Sequence, residues 1–240
     1  MLVERRPPPK WGEDELTGFF NAERQNQFAT FVHHPLAETL IEIDSIQLRA
    51  LQGWVNPRPF FAPQFFVRAH SSYRGAAASA FAGRVAEVFP LCRVALEYAA
   101  YGFHIGKSKD RYEVWLRRSD SEECKKEMKS AFRIPRLRES LKARDQGLDS
   151  VFWDLYERTI EYGAHPNLQG VVINIQQDKT DDGASQRIIY AHEAGPQLDI
   201  SMSTVALVGL FSLRAFRLLH STRCELLGVS DRISRLEGRF

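Results

Sequence analysis

Arg158 and His165 stand seven positions apart, with Tyr162 between them. Seven residues are about two helical turns, so a continuous helix would set both on one face. A guanidinium forks onto phosphate oxygens, and an imidazole exchanges protons near neutral pH. That pair suffices for metal-independent cleavage of RNA. His165 would take the proton of a ribose 2′-hydroxyl or protonate the leaving oxygen, while Arg158 would offset charge developing on the phosphorus oxygens. The competing use of a histidine at a helix end is structural, as a cation against the last carbonyls.

Arg93 and Glu97 are four apart and therefore neighbours on a helix. His104 follows Glu97 by seven and shares a stripe with Ala82, Ala86 and Ala100. These polar residues are expected to support and orient Arg158 and His165. The structural alternatives are an exposed ion pair worth about 0.3–0.5 kcal/mol, or a buried pair that fixes how helices dock.

Thirteen of the 32 basic residues lie between Lys107 and Arg144 in a chain of net charge +2. Lys125, Lys126, Lys129, Arg133, Arg136 and Arg138 are the candidates to hold a nucleic-acid backbone. A solvated helix face is the other reading of the same run.

Other chemistries lack their residues. The chain has no Gly-x-Ser-x-Gly elbow and no Walker phosphate loop. Cys92, Cys124 and Cys224 are too scattered for a zinc cluster or a disulfide framework. Asp178, Asp181, Asp182 and Gly183 do not meet the twelve-residue calcium pattern. No metal and no cofactor are therefore expected. A reducing cytoplasm suits this cysteine usage. The start lacks an apolar leader, and Val205–Leu213 is too short to span a bilayer and runs into Arg214 and Arg217, so no membrane span is expected.

The elements that must position these residues read as helices. Residues 1–12, with Pro7, Pro8 and Pro9, are expected to form a flexible tail. Helical spacing predicts a helix over about Asp14–Val32 and another after Pro35 through Leu51. The prolines of Gly53–Pro63 predict a loop. Ala69–Phe103 reads as one long helix, capped at Ser71 or Ser72 and kinked at Pro90, whose small residues allow a neighbour close approach. Residues 107–147 read as charged helices, the second opening at Pro135 and ending at Gly147. A further helix, capped by Asp149 or Ser150, should end near Gly163 because Pro166 biases His165 away from the α region. Val171–Ile175 and Ile188–Tyr190 are β-branched or aromatic and read as a hairpin within 171–192. A last helix from Ser201 or Ser203 to Leu227 is apolar on most sides, as a central bundle helix would be. The final residues, 231–240, are expected to fray.

Two resemblances follow from these residues. Arg93-Val-Ala-Leu-Glu97 with Tyr156 and His165-Pro166-Asn167 is similar to an uncharacterised family of bacterial helical proteins. The Arg158-to-His165 spacing resembles the Arg–His signature of the HEPN superfamily, over roughly residues 70–170. That resemblance implies a metal-independent ribonuclease, toxin or phage-defence effector that dimerises to share its site. HEPN nucleases usually place Asn, Asp or His directly after the Arg, where this chain has Thr159. HEPN-like domains without nuclease activity serve as binding or assembly modules.

The expectation is a mainly α fold: one domain over residues 13–230, with six or seven helices and one inserted β-hairpin. Two functions stay open. One is an RNA endonuclease, with RNA as partner and a possible homodimer as its form. The other is a non-catalytic helical interaction or scaffold protein that binds another protein.

Overall fold

The computed structural model describes residues 6–55, 61–180 and 183–240. Among them are twelve α-helices: α1 Glu15–His33, α2 Ala37–Leu51, α3 Phe61–Phe81, α4 Val85–Gly106, α5 Lys109–Leu116, α6 Glu122–Ala131, α7 Ile134–Lys142, α8 Gln146–Thr159, α9 Leu168–Val172, α10 Pro196–Leu219, α11 Ser221–Leu226 and α12 Ser230–Glu237. Two antiparallel strands, β1 Ile175–Thr180 and β2 Gly183–Ile188, pair in register Ile175 to Ile188. The architecture is thus mainly helical with one hairpin, as expected, but with twelve helices rather than six or seven.

The surplus comes from local breaks inside runs that read as continuous. Ala69–Phe103 is not one helix. It divides at Gly83, which takes φ +77°, a left-handed conformation that glycine adopts without steric cost. Ser71 and Ser72 fall within α3 and cap nothing, while Pro90 lies inside an uninterrupted α4. Pro63 belongs to the first turn of α3, where a missing N–H is tolerated. Asp145, not Asp149 or Ser150, caps α8 by accepting from the Leu148 N–H at 2.9 Å. Gly147 therefore opens a helix instead of closing one.

The hairpin also shifts. Asn167 accepts from the Gly170 N–H at 2.8 Å and starts α9, so Val171 and Val172 are helical despite their β-branching. The strands are the polar residues that follow. Asp181 and Asp182, at the turn weighed as a calcium site, lie outside the described residues.

The core is built on α10, which packs against α2, α3, α4 and α8. Met202, Val205, Ala206 and Phe211 on it are wholly buried. Close approach of α10 depends on Gly209, whose missing Cβ leaves room for Tyr73 and Ile43 at 2.5 and 2.6 Å. α3 and α4 run side by side through small residues; Ala76, Ala80 and Ala99 have no exposure. α10 is 24 residues long and has an 18-residue window of mean hydropathy 1.5, which is long and apolar enough to cross a bilayer; 67% of that window is buried inside the bundle. The limit drawn from Val205–Leu213 alone was therefore too narrow.

Contacts are made by described residues near both ends. Trp11 Nε1 donates to Asn21 Oδ1 at 2.8 Å and its ring lies 6.0 Å from that of Phe20, which pins the proline-rich segment to α1. Within 231–240, Ile233 and Leu236 are buried on α12, and Arg217 reaches Glu237 at 2.8 Å. Ile233 and Leu236, three apart, anchor a stretch whose composition is mostly polar.

Candidate functional site

Arg93 on α4 donates through Nε to Glu97 Oε1 at 2.9 Å and through Nη2 to Tyr156 Oη on α8 at 2.7 Å. Its guanidinium carbon also sits 4.8 Å from the centre of the Tyr156 ring. Arg93 is 19% exposed and Glu97 33%, so the pair is partly shielded from water. It fastens α8 against α4. Glu97 and Tyr156 occupy two of the three arms of the guanidinium, and Nη1 is buried with no partner among the described residues.

Arg158 lies two residues beyond Tyr156, about 200° further round α8. It therefore points away from the contact that Tyr156 makes. It is partly exposed, and no ion pair is formed by it among the described residues. The helical relation to His165 does not hold. The chain widens into a π turn at Ile160–Ala164, and Tyr162 and Gly163 leave helical geometry, Gly163 at φ +119°. Asn167 Nδ2 donates to the Ile160 carbonyl and closes the turn at 2.5 Å. His165 is then extended, at φ −135° and ψ 151°, and exposed to solvent. Residues 158 and 165 share no helix face.

His104 belongs to a different place again. Eleven residues after Arg93, it lies about 16 Å further along α4. It is 3% exposed; Nδ1 is 2.7 Å from Ser140 Oγ, which also accepts from Arg111 Nη1 at 2.8 Å. Burial, and then the Arg111 charge, lower its pKa to about 4. It is a neutral core histidine that joins α4 to α7, not an orienting group beside Glu97.

The basic run is partly neutralised by its own helices. Arg138 makes a two-pronged bond to Asp149 at 2.9 and 3.0 Å and covers the Trp153 ring at 4.4 Å. Arg136 pairs with Glu139 at 2.7 Å and Lys125 with Glu122 at 3.2 Å. Lys126, Lys129 and Arg133 are exposed and form no ion pair among the described residues. No group of three or more His, Cys, Asp or Glu with metal-binding geometry occurs among the described residues.

A separate cleft lies elsewhere in the fold. It measures about 1050 Å³ and runs beneath the hairpin, against the start of α4 and the start of α10. Phe89 and Tyr162 form one wall, their rings stacked at 5.0 Å and 23°. Val172, Ile175, Ile188 and Tyr190 also line it and are 39–65% exposed. Of the residues expected in a site, only Tyr162 borders this cleft.

His192 lines it too. Its backbone is held at both ends: the N–H donates to the Gly83 carbonyl at 2.8 Å, and the carbonyl accepts from Asn26 Nδ2 at 3.5 Å. Its ring Nε2 is buried and has no hydrogen-bond partner among the described residues. Burial lowers the imidazole pKa, against smaller opposing effects from the Ile173 backbone and Glu87. Nothing in the local sequence singles out His192, because it follows a strand in what reads as a polar connection. Its importance comes from Gly83, which is 109 positions away.

Comparison with models of protein families, with curated proteins and with solved structures returned no match.

Proposed function

We infer that this chain is a non-catalytic helical interaction protein, with its partner surface at the cleft beneath the hairpin. The observation that carries this reading is the run of exposed apolar residues around one cavity. Val172, Ile175, Ile188 and Tyr190 border the same 1050 Å³ cleft, and Leu168 and Val171 close by are 75% and 64% exposed. Contiguous exposed apolar surface of this kind marks binding sites more often than isolated apolar residues do. The Arg93–Glu97–Tyr156 contact fits the same reading, because its polar groups are spent on holding two helices together.

RNA cleavage of the HEPN type is the second reading. It rests on Arg158, which forms no ion pair among the described residues, and on the exposed imidazole of His165. Incubating the purified chain with total RNA in chelator separates the two. Intact RNA with the wild-type protein supports the interaction reading. Cleavage that disappears in His165→Ala overturns it in favour of the nuclease.

A further inference from the structure

A second, smaller cleft of about 280 Å³ opens between α3, α4 and α5. It is lined by Phe65, Val94, Glu97, Tyr98, Tyr101 and Trp115. Four of these six are aromatic, and one is a carboxylate. The rings surround the space at several angles. Phe65 lies 5.9 Å from Tyr98, 6.1 Å from Tyr101 and 5.1 Å from Trp115, with interplanar angles of 41°, 20° and 75°. Phe65 is 6% exposed and forms the floor, while Tyr98 is 36% exposed and stands at the mouth.

The rings are held in place. Tyr101 Oη donates to the Phe132 carbonyl at 3.1 Å, and its ring packs 5.2 Å from that of Phe132. Glu97 is anchored from one side by Arg93. Glu97 and Tyr101 line the same cleft, and burial first, then the Glu97 charge, raise the pKa of the Tyr101 phenol. Two rings of the set already attract cations. Arg68 lies 5.5 Å from the centre of Tyr98 and Arg118 lies 3.7 Å from that of Trp115, and neither arginine lines the cleft.

Aromatic faces carry negative potential and bind weakly hydrated cations. An adjoining carboxylate strengthens that preference and repels anions. The volume falls just below the range of about 300–1,000 Å³ that accepts drug-sized ligands, so it suits a head group. A primary ammonium is compact and strongly hydrated, and three donors must be satisfied on entry. A trimethylated ammonium has no donors and presents methyl groups to every ring.

We propose that the cleft formed by Phe65, Glu97, Tyr98, Tyr101 and Trp115 binds a quaternary trimethylammonium group. This site stands apart from the hairpin cleft and does not depend on the interaction reading. The group can come from a small molecule such as choline or from a trimethylated lysine side chain. Either source meets the same rings and the same carboxylate.

Binding to the full chain is measured by calorimetry and by saturation-transfer NMR with four probes: choline, a blocked trimethyllysine amide, its unmethylated lysine counterpart, and 3,3-dimethylbutan-1-ol, the uncharged isostere of choline. Saturable binding of choline or of the trimethyllysine amide, at least about tenfold tighter than the isostere or the unmethylated amide, supports the site. Which of the two binds identifies the source. Trp115→Leu is expected to weaken the bound probe by about tenfold. Tyr98→Leu, at the exposed mouth, carries the same test if loss of Trp115 disturbs folding. Absence of binding by both cations, equal binding by the isostere, or unchanged binding in a folded variant overturns the proposal.

Discussion

Gly83 and His192 meet backbone to backbone: the His192 N–H donates to the Gly83 carbonyl at 2.8 Å, and a Cβ on Gly83 would overlap the His192 carbonyl oxygen. This contact joins the α3–α4 turn to the chain that leaves the hairpin. It therefore fixes one wall of the cleft beneath the hairpin.

Gly83→Ala is expected to destabilise the fold by about 1–3 kcal/mol from the left-handed backbone alone, with the overlap adding to that. Urea unfolding measures the change. A shift of the midpoint within error of the wild type would show that this junction tolerates displacement.

Arg93→Ala should cost about 1–3 kcal/mol, since it strands Glu97 and the Tyr156 hydroxyl and removes a charged hydrogen bond. Combining it with Tyr156→Phe in a double-mutant cycle should give a coupling of at least about 0.5 kcal/mol, because the two residues touch. Additive effects would mean that the contact does not hold α8 to α4.

Acid should weaken the protein from about pH 6.5 downward, through two buried histidines. Burial comes first in lowering His104 and His220 to about 4, from an ordinary value near 6.5, followed by Arg111 and Arg223 respectively. Below pH 6.5 the unfolded chain takes up these protons and the folded chain does not. Stability contributed by the neutral rings is thus complete above pH 6.5 and declines as pH falls towards 4. His220→Phe, packed against Trp54 and Phe216, should flatten this decline when denaturation midpoints at pH 7.5 and 4.5 are compared. An unchanged slope would rule His220 out as a contributor.

Gly209→Ala should cost about 1–3 kcal/mol by overpacking against Tyr73 and Ile43 where α10 crosses α3 and α2. Thermal or urea unfolding reads this directly. The neighbouring Tyr73 has little freedom to move, because its hydroxyl donates to the Leu40 carbonyl at 2.7 Å.

Ile188→Lys should change stability by less than about 0.5 kcal/mol, as Ile188 is 65% exposed. A larger loss would indicate that the residue is packed within the fold and not presented at the cleft rim.

Helical character, a helix beginning near Asp14, the end of a helix ahead of Pro166 and the central role of the last long apolar helix were legible from the residues themselves. These follow from local rules: apolar spacing and the restriction that proline imposes on its neighbour. The break at Gly83 was not legible, because a glycine within an alanine-rich run reads equally as helix until its contact with His192 is known. Nor were the ends of the hairpin, where the Asn167 cap overrides the β preference of Val171 and Val172.

Arg93 and Glu97 were correctly read as neighbours, for four-residue spacing along a helix settles that by itself. Tertiary structure alone brought Tyr156 to the same guanidinium and buried His104 against Ser140. It also assembled Phe65, Tyr98, Tyr101 and Trp115 from three helices into one cleft. Local geometry depends on neighbours in the chain, but convergence depends on how whole helices cross, and that is decided by the packing of many side chains together.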